Sequence, residues 1–109
     1  MAEYNPDSWY IIKISDLKNN SHHYRILCSW SGSYLWGSSW KISSGIESVE
    51  DCGDHFVMPQ TSGSVYRIYK TQQRMSGQMA SILSFYSERS EDMTIETVEI
   101  EDFLKVFNS

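Results

Sequence analysis

Two hydrophobic periods, used one after the other, constrain the fold of this chain more than any other feature. From Trp9 to Lys70 apolar side chains alternate in short runs, broken by Gly, Pro, Asn and Asp; from Met75 to Tyr86, and again from Ile100 to Phe107, they recur at helical spacing. Period two marks strands with a face turned to a core, and a period near 3.6 marks helix. Trp9 to Ile14 reads as a strand, with Tyr10, Ile12 and Ile14 on one face and Trp9, Ile11 and Lys13 on the other. Tyr24 to Trp30 reads as a second, with Tyr24, Ile26, Cys28 and Trp30 alternating against Arg25, Leu27 and Ser29. The polar loop between them is too short for a crossover helix, so the two form an antiparallel hairpin. Further short strands are expected at Trp40 to Ser43, Ile46 to Glu50, His55 to Met58 and Val65 to Lys70, separated by Gly-containing turns.

Met75, Met79, Ile82, Leu83 and Tyr86 then fall at i, i+4, i+7, i+8 and i+11, one stripe of a helix from Gln72 to Glu88. Thr71 is its expected N-cap, and Gly77 inside it suggests close contact with the sheet. Met93 to Val98 reads as a last strand. Ile100, Phe103, Leu104 and Phe107 give a short C-terminal helix that survives only if docked. The order is a run of short strands, a long helix, one strand and a short helix, without repeated βαβ units. The expected class is therefore α+β: a curved antiparallel sheet of about five or six short strands, packed by one long helix. The 109 residues fit a single domain (1–109), with 1–7 expected to be flexible.

Composition narrows the function more by exclusion than by motif. The formal net charge of −5 disfavours binding to nucleic-acid backbones, which takes clustered Lys and Arg. Neither a secretion signal nor an apolar run of about 18 residues is present, so the expected compartment is the cytosol, away from membranes. In that compartment Cys28 and Cys52 are expected as reduced thiols. Cys52-x-x-His55 has half of a zinc spacing but no convincing second pair, and its acidic neighbours disfavour a thiolate. No Gly-x-Ser-x-Gly elbow occurs, and fourteen acids without a visible pocket select no hydrolytic pair. The chain reads as a non-enzyme without metal or cofactor.

What remains is an aromatic segment and an acidic one. Trp30, Tyr34, Trp36 and Trp40 lie within eleven residues of Gly, Ser and Leu. Exposed, Tyr34, Leu35 and Trp36 would form a hot spot for a protein partner. Glu91, Asp92, Glu96 and Glu99 would steer the encounter with that partner. Alternatively Trp30, Trp36 and Trp40 would line a pocket for a nucleotide, with Arg25 or Lys41 meeting its phosphate. Exposed edge strands leave homodimerisation open.

The segment Trp30-Ser-Gly-Ser-Tyr-Leu-Trp-Gly-Ser-Ser-Trp-Lys-Ile-Ser-Ser-Gly-Ile46, followed by Ser62-Gly-Ser-Val-Tyr66, resembles small uncharacterised proteins of T4-like tailed phages. The resemblance spans about residues 9–70 and rests on Trp, Gly and Ser spacing. It implies a protein made in an infected bacterial cytoplasm. Such a protein would bind host machinery: inhibiting a defence enzyme, redirecting transcription, or sequestering a signal nucleotide. It transfers no catalytic residue.

Overall fold

The structure is a computed structural model that describes residues 3–33, 37–89 and 92–107. It is α+β. The strands are β1 (Glu3–Tyr4), β2 (Ser8–Asp16), β3 (Ser21–Ser33), β4 (Gly37–Ile42), β5 (Glu50–Asp51), β6 (His55–Pro59), β7 (Val65–Tyr69) and β8 (Met93–Val98). Two helices, α1 (Gly77–Arg89) and α2 (Ile100–Phe107), complete it.

The strands form two four-stranded sheets, not one sheet of five or six. One, in the order β4-β3-β2-β8, is antiparallel throughout; the other runs β1-β7-β6-β5 and contains a parallel pair, β1 with β7. The reason lies in β2, whose two faces are both apolar. Trp9 and Ile11 on one side, and Ile12 and Ile14 on the other, are all buried. A strand buried on both faces needs a layer above and a layer below it. The odd face of β2, with Ile26 and Cys28 of β3, packs on Phe56, Met58, Tyr66 and Ile68 of the second sheet, and Phe103 of α2 closes that core. Ile12, Ile14 and Leu27 pack instead with Met79 of α1 and its neighbours Ile82 and Leu83.

Residues 3–7 lie against the second sheet and β3. Tyr4 pairs with Tyr66 and stacks on its ring at 4.9 Å, Glu3 meets Arg67 at 3.0 Å, and Asp7 N–H donates to Ser29 O. The stretch 46–50 is shorter as a strand than its sequence suggests. Ile46 makes an isolated bridge with Gln60, and pairing resumes at Glu50. At the β6–β7 turn Gly63 adopts φ +93°, a region open to glycine at little cost.

The long helix begins at Gly77, five residues after its expected start. A 3₁₀ turn occupies Lys70–Gln72, and Gln73 after it is extended (φ −71°, ψ 101°), outside helical geometry. Gln73 bridges to Trp9, and Arg74 N–H donates to Trp9 O. Ser76, not Thr71, is the cap, its Oγ accepting from Met79 N–H at 3.2 Å. Gly77 therefore opens the helix, and a Cβ added there meets nothing within 4 Å, so no close approach to the sheet explains it. The last strand and the C-terminal helix fall where the sequence places them.

Candidate functional site

Alternation along β3 and β4 decides which sequence-predicted site residues can meet. Antiparallel partners share a face of the sheet. Arg25 pairs with Ile12, Leu27 with Ile42, and Ser29 with Trp40. Ile12, Leu27 and Ile42 belong to the core under α1, and Ser29 Oγ lies 3.1 Å from Ser76 Oγ just before that helix. Arg25, Trp40 and Ile42 therefore face the helix side.

On that side, where α1 ends, the sheet is left partly uncovered. A groove of about 620 Å³ opens there, lined by Ile14, Arg25, Trp40, Lys41, Ile42, Tyr86, Met93 and Ile95. Its volume falls in the range that holds compact organic ligands. The Trp40 and Tyr86 rings meet edge to face at 6.5 Å, and Phe85 leans on Tyr86 at 5.5 Å. Trp40 (38% exposed), Phe85 (48%), Tyr86 (37%) and Met93 (38%) are four of the six large apolar side chains exposed among the described residues. Single exposed apolar residues are ordinary; three of these, Trp40, Tyr86 and Met93, line one concavity, which is not.

Charge in the groove comes from Arg25. Its Nε donates to Nε2 of His23 at 2.9 Å, which fixes His23 as a neutral acceptor through that nitrogen. Partial burial, Arg25 and His22, in that order, hold the His23 pKa below its usual 6.5. Lys41 contributes to the wall but not to its charge. It pairs with Cys28, on the inter-sheet side, and its ammonium sits 4.8 Å over the Tyr4 ring. Among the described lining residues none is a carboxylate.

The expected ligand set is thus divided. Arg25 and Trp40 come together; Lys41 and Trp30 face the other side. Trp30 packs against the inter-sheet core, tilted on Tyr4 at 6.2 Å, with its indole N–H donating to Asn5 O. Trp36 lies outside the described residues, as do Tyr34 and Leu35 of the expected hot spot and Glu91 of the acidic group. Asp92 and Glu96 are exposed at the edge strand β8. Glu99 is engaged within the fold, accepting from the Tyr10 hydroxyl and from Gln73 Nε2 at 2.7 Å. That bond to Glu99 is the first cause of the raised Tyr10 pKa.

The sequence did not point to Tyr86, Met93, Ile14, Ile42 or Ile95 as site residues. One signal was present: Tyr86 ends the helical stripe with a polar-tipped ring where Leu or Ile would complete a core.

At the β5–β6 hairpin Cys52 is exposed, and its Sγ lies 4.0 Å from Glu50 O. His55 Nδ1 lies 2.6 Å from Asp54, and Lys70 reaches Asp51 at 2.8 Å. The first pair lies within the hairpin tip, and the second ties that tip to the chain just past the end of β7. Among the described residues, no three or more His, Cys, Asp or Glu side chains gather to hold a metal ion. Among the same residues no helix is long and apolar enough to cross a membrane. No family model, curated protein or solved structure matches the chain.

Proposed function

We propose that this is a non-enzymatic binding protein whose working surface is the groove between the end of α1 and the strands β2, β3, β4 and β8. Its ligand is compact, with a flat apolar body and a negative charge. The observation that carries this reading is the gathering of Trp40, Tyr86 and Met93 around a concavity that also receives Arg25. Rings bury large apolar area with few rotors, and a cation at the rim orients what they hold. Nucleotides, the alternative to a protein partner that the sequence raised, are one group of such ligands. Titration of a panel of nucleotides and aromatic anions, followed by tryptophan fluorescence and thermal shift, tests the reading. Quenching that disappears in Trp40→Ala supports it; no response to any member of the panel rejects it.

A second reading has a protein of the host bacterium as the partner, in keeping with the phage resemblance and a cytoplasmic site of action. Phe85 favours it, because its exposed ring extends the apolar surface past the groove wall. Tyr34, Leu35 and Trp36 would anchor the partner, and Asp92 and Glu96 would steer it. Binding would then block a defence or transcription factor by occlusion. Partner retention that survives Tyr34→Ala with Trp36→Ala would remove this reading.

A further inference from the structure

Resting on the groove reading, we infer that the groove selects a flat aromatic monoanion, an aryl carboxylate, over nucleotides, with Arg25 as the anion-binding residue and His23 as its positioning residue. Three observations lead there. The first is the charge count. Arg25 is the one cationic side chain directed to the groove among the described residues, because the Lys41 ammonium lies over Tyr4 on the other face of the sheet. One guanidinium balances one carboxylate. A di- or triphosphate would leave charge uncompensated, beside a protein whose net charge is already −5.

The second is the shape of the donor. With Nε given to His23, the two terminal nitrogens of Arg25 remain as a planar fork. A carboxylate accepts such a fork through both oxygens at once, and that geometry gives orientation as well as strength. His23 holds the guanidinium plane, so the fork is set before a ligand arrives.

The third is the floor. Ile14, Ile42, Ile95 and Met93 offer no strong donor or acceptor from their side chains. A nucleobase whose polar edge lies on these four side chains would find no partner among them for the water it loses, a cost an aryl ring does not carry. Trp40 and Tyr86 supply ring faces and edges that accept any aromatic body.

The test uses the full chain near neutral pH and five probes: 2-naphthoate, its neutral isostere 2-naphthamide, 2-naphthyl phosphate, AMP and ATP. Calorimetry and tryptophan fluorescence report binding, and circular dichroism confirms that each variant is folded. The expected result is naphthoate binding about tenfold or more tighter than the amide, the size of one charge-assisted contact, and tighter than AMP, ATP or the aryl phosphate. Arg25→Gln should bring naphthoate to the level of the amide. His23→Ala should weaken naphthoate several-fold without moving the amide, and His23→Gln, which keeps an acceptor for Arg25 Nε, should restore it. Equal binding of acid and amide overturns the inference, as does naphthoate affinity indifferent to Arg25→Gln. Tighter binding of the phosphate, AMP or ATP overturns it while leaving the groove reading intact. Silence from every probe in a folded protein overturns both, and retention of a host protein that Trp40→Ala releases would then assign the groove to that partner.

Discussion

Replacing Phe103 with alanine separates what holds this fold together from what the groove does. Phe103 is fully buried, meets Tyr24 at 5.1 Å and Phe107 at 4.9 Å, and is the buried anchor of α2. An eight-residue helix has no stability of its own in water, so its place depends on that anchor. Truncating a buried Phe to Ala costs about 3–5 kcal/mol. The ring pairs account for roughly 0.5–1.5 kcal/mol of it each. Against a total stability of about 5–15 kcal/mol, this is a large fraction. With a urea dependence near 2 kcal/mol per molar, the unfolding midpoint should fall by roughly 2 M. The thermal midpoint should fall by about 15–30 °C. Urea unfolding followed by circular dichroism measures the loss, and an unchanged slope shows that α2 still docks. A loss under about 1 kcal/mol would refute the reasoning, because no deletion of a well-packed buried ring is that mild. Ligand affinity should survive below the new transition, since Phe103 lies in the inter-sheet core and the groove on the other face of the sheet.

Four further outcomes follow from particular contacts. Ser76→Ala should cost about 1 kcal/mol through loss of the helix cap, with Thr71→Ala near zero, and chemical denaturation of the two variants compares them directly. Burial pushes the Cys28 thiol up to about 12, so alkylation of the native protein at neutral pH should give one adduct, on exposed Cys52; rapid modification of Cys28 in mass spectra would contradict its burial. His23 has its folded-state pKa lowered from 6.5, so the unfolded chain binds that proton more readily. Its contribution is complete above 6.5 and is lost as pH falls from there toward the folded value, and His23→Gln should flatten that part of the stability profile. Asp16, Asp51 and Asp54 have depressed pKa values, owed first to Asn19, Lys70 and His55 respectively. Their stabilisation is present above the ordinary carboxylate range and lost at lower pH than the His23 effect. Asp51→Asn should blunt that acid-side loss without touching the His23 step, which begins at 6.5 and runs downward.

Strand alternation and helical stripes placed most elements within a few residues, because burial of apolar faces decided both pattern and fold. The second sheet was hidden for a physical reason. Its outer strands, Glu3–Tyr4 and Glu50–Asp51, are two residues long, too short to show a period. The helix start was misplaced because Met75 fits the stripe and joins the helix-side core, yet Gln73 and Arg74 are committed to β2. Part of the site was legible and went unread. Trp40 and Lys41 are neighbours in one expected strand, so they face opposite ways. Arg25 and Trp30 differ by an odd number of positions in another. Pairing register was needed to see that Arg25 shares a face with Trp40, and register is a long-range property that no local window carries. Tyr86, Met93 and Ile95 join the groove through tertiary packing alone.

An isotope-labelled sample titrated with 2-naphthoate, read by backbone and indole amide shifts, bears most directly on the proposed role of the groove. Perturbations should converge on Arg25, the Trp40 indole, Ile42, Tyr86, Met93 and Ile95, leaving Trp30 and the Cys52 hairpin still. Shifts centred on Trp30 or on residues 50–56, or none at saturating probe, would place recognition elsewhere on the molecule.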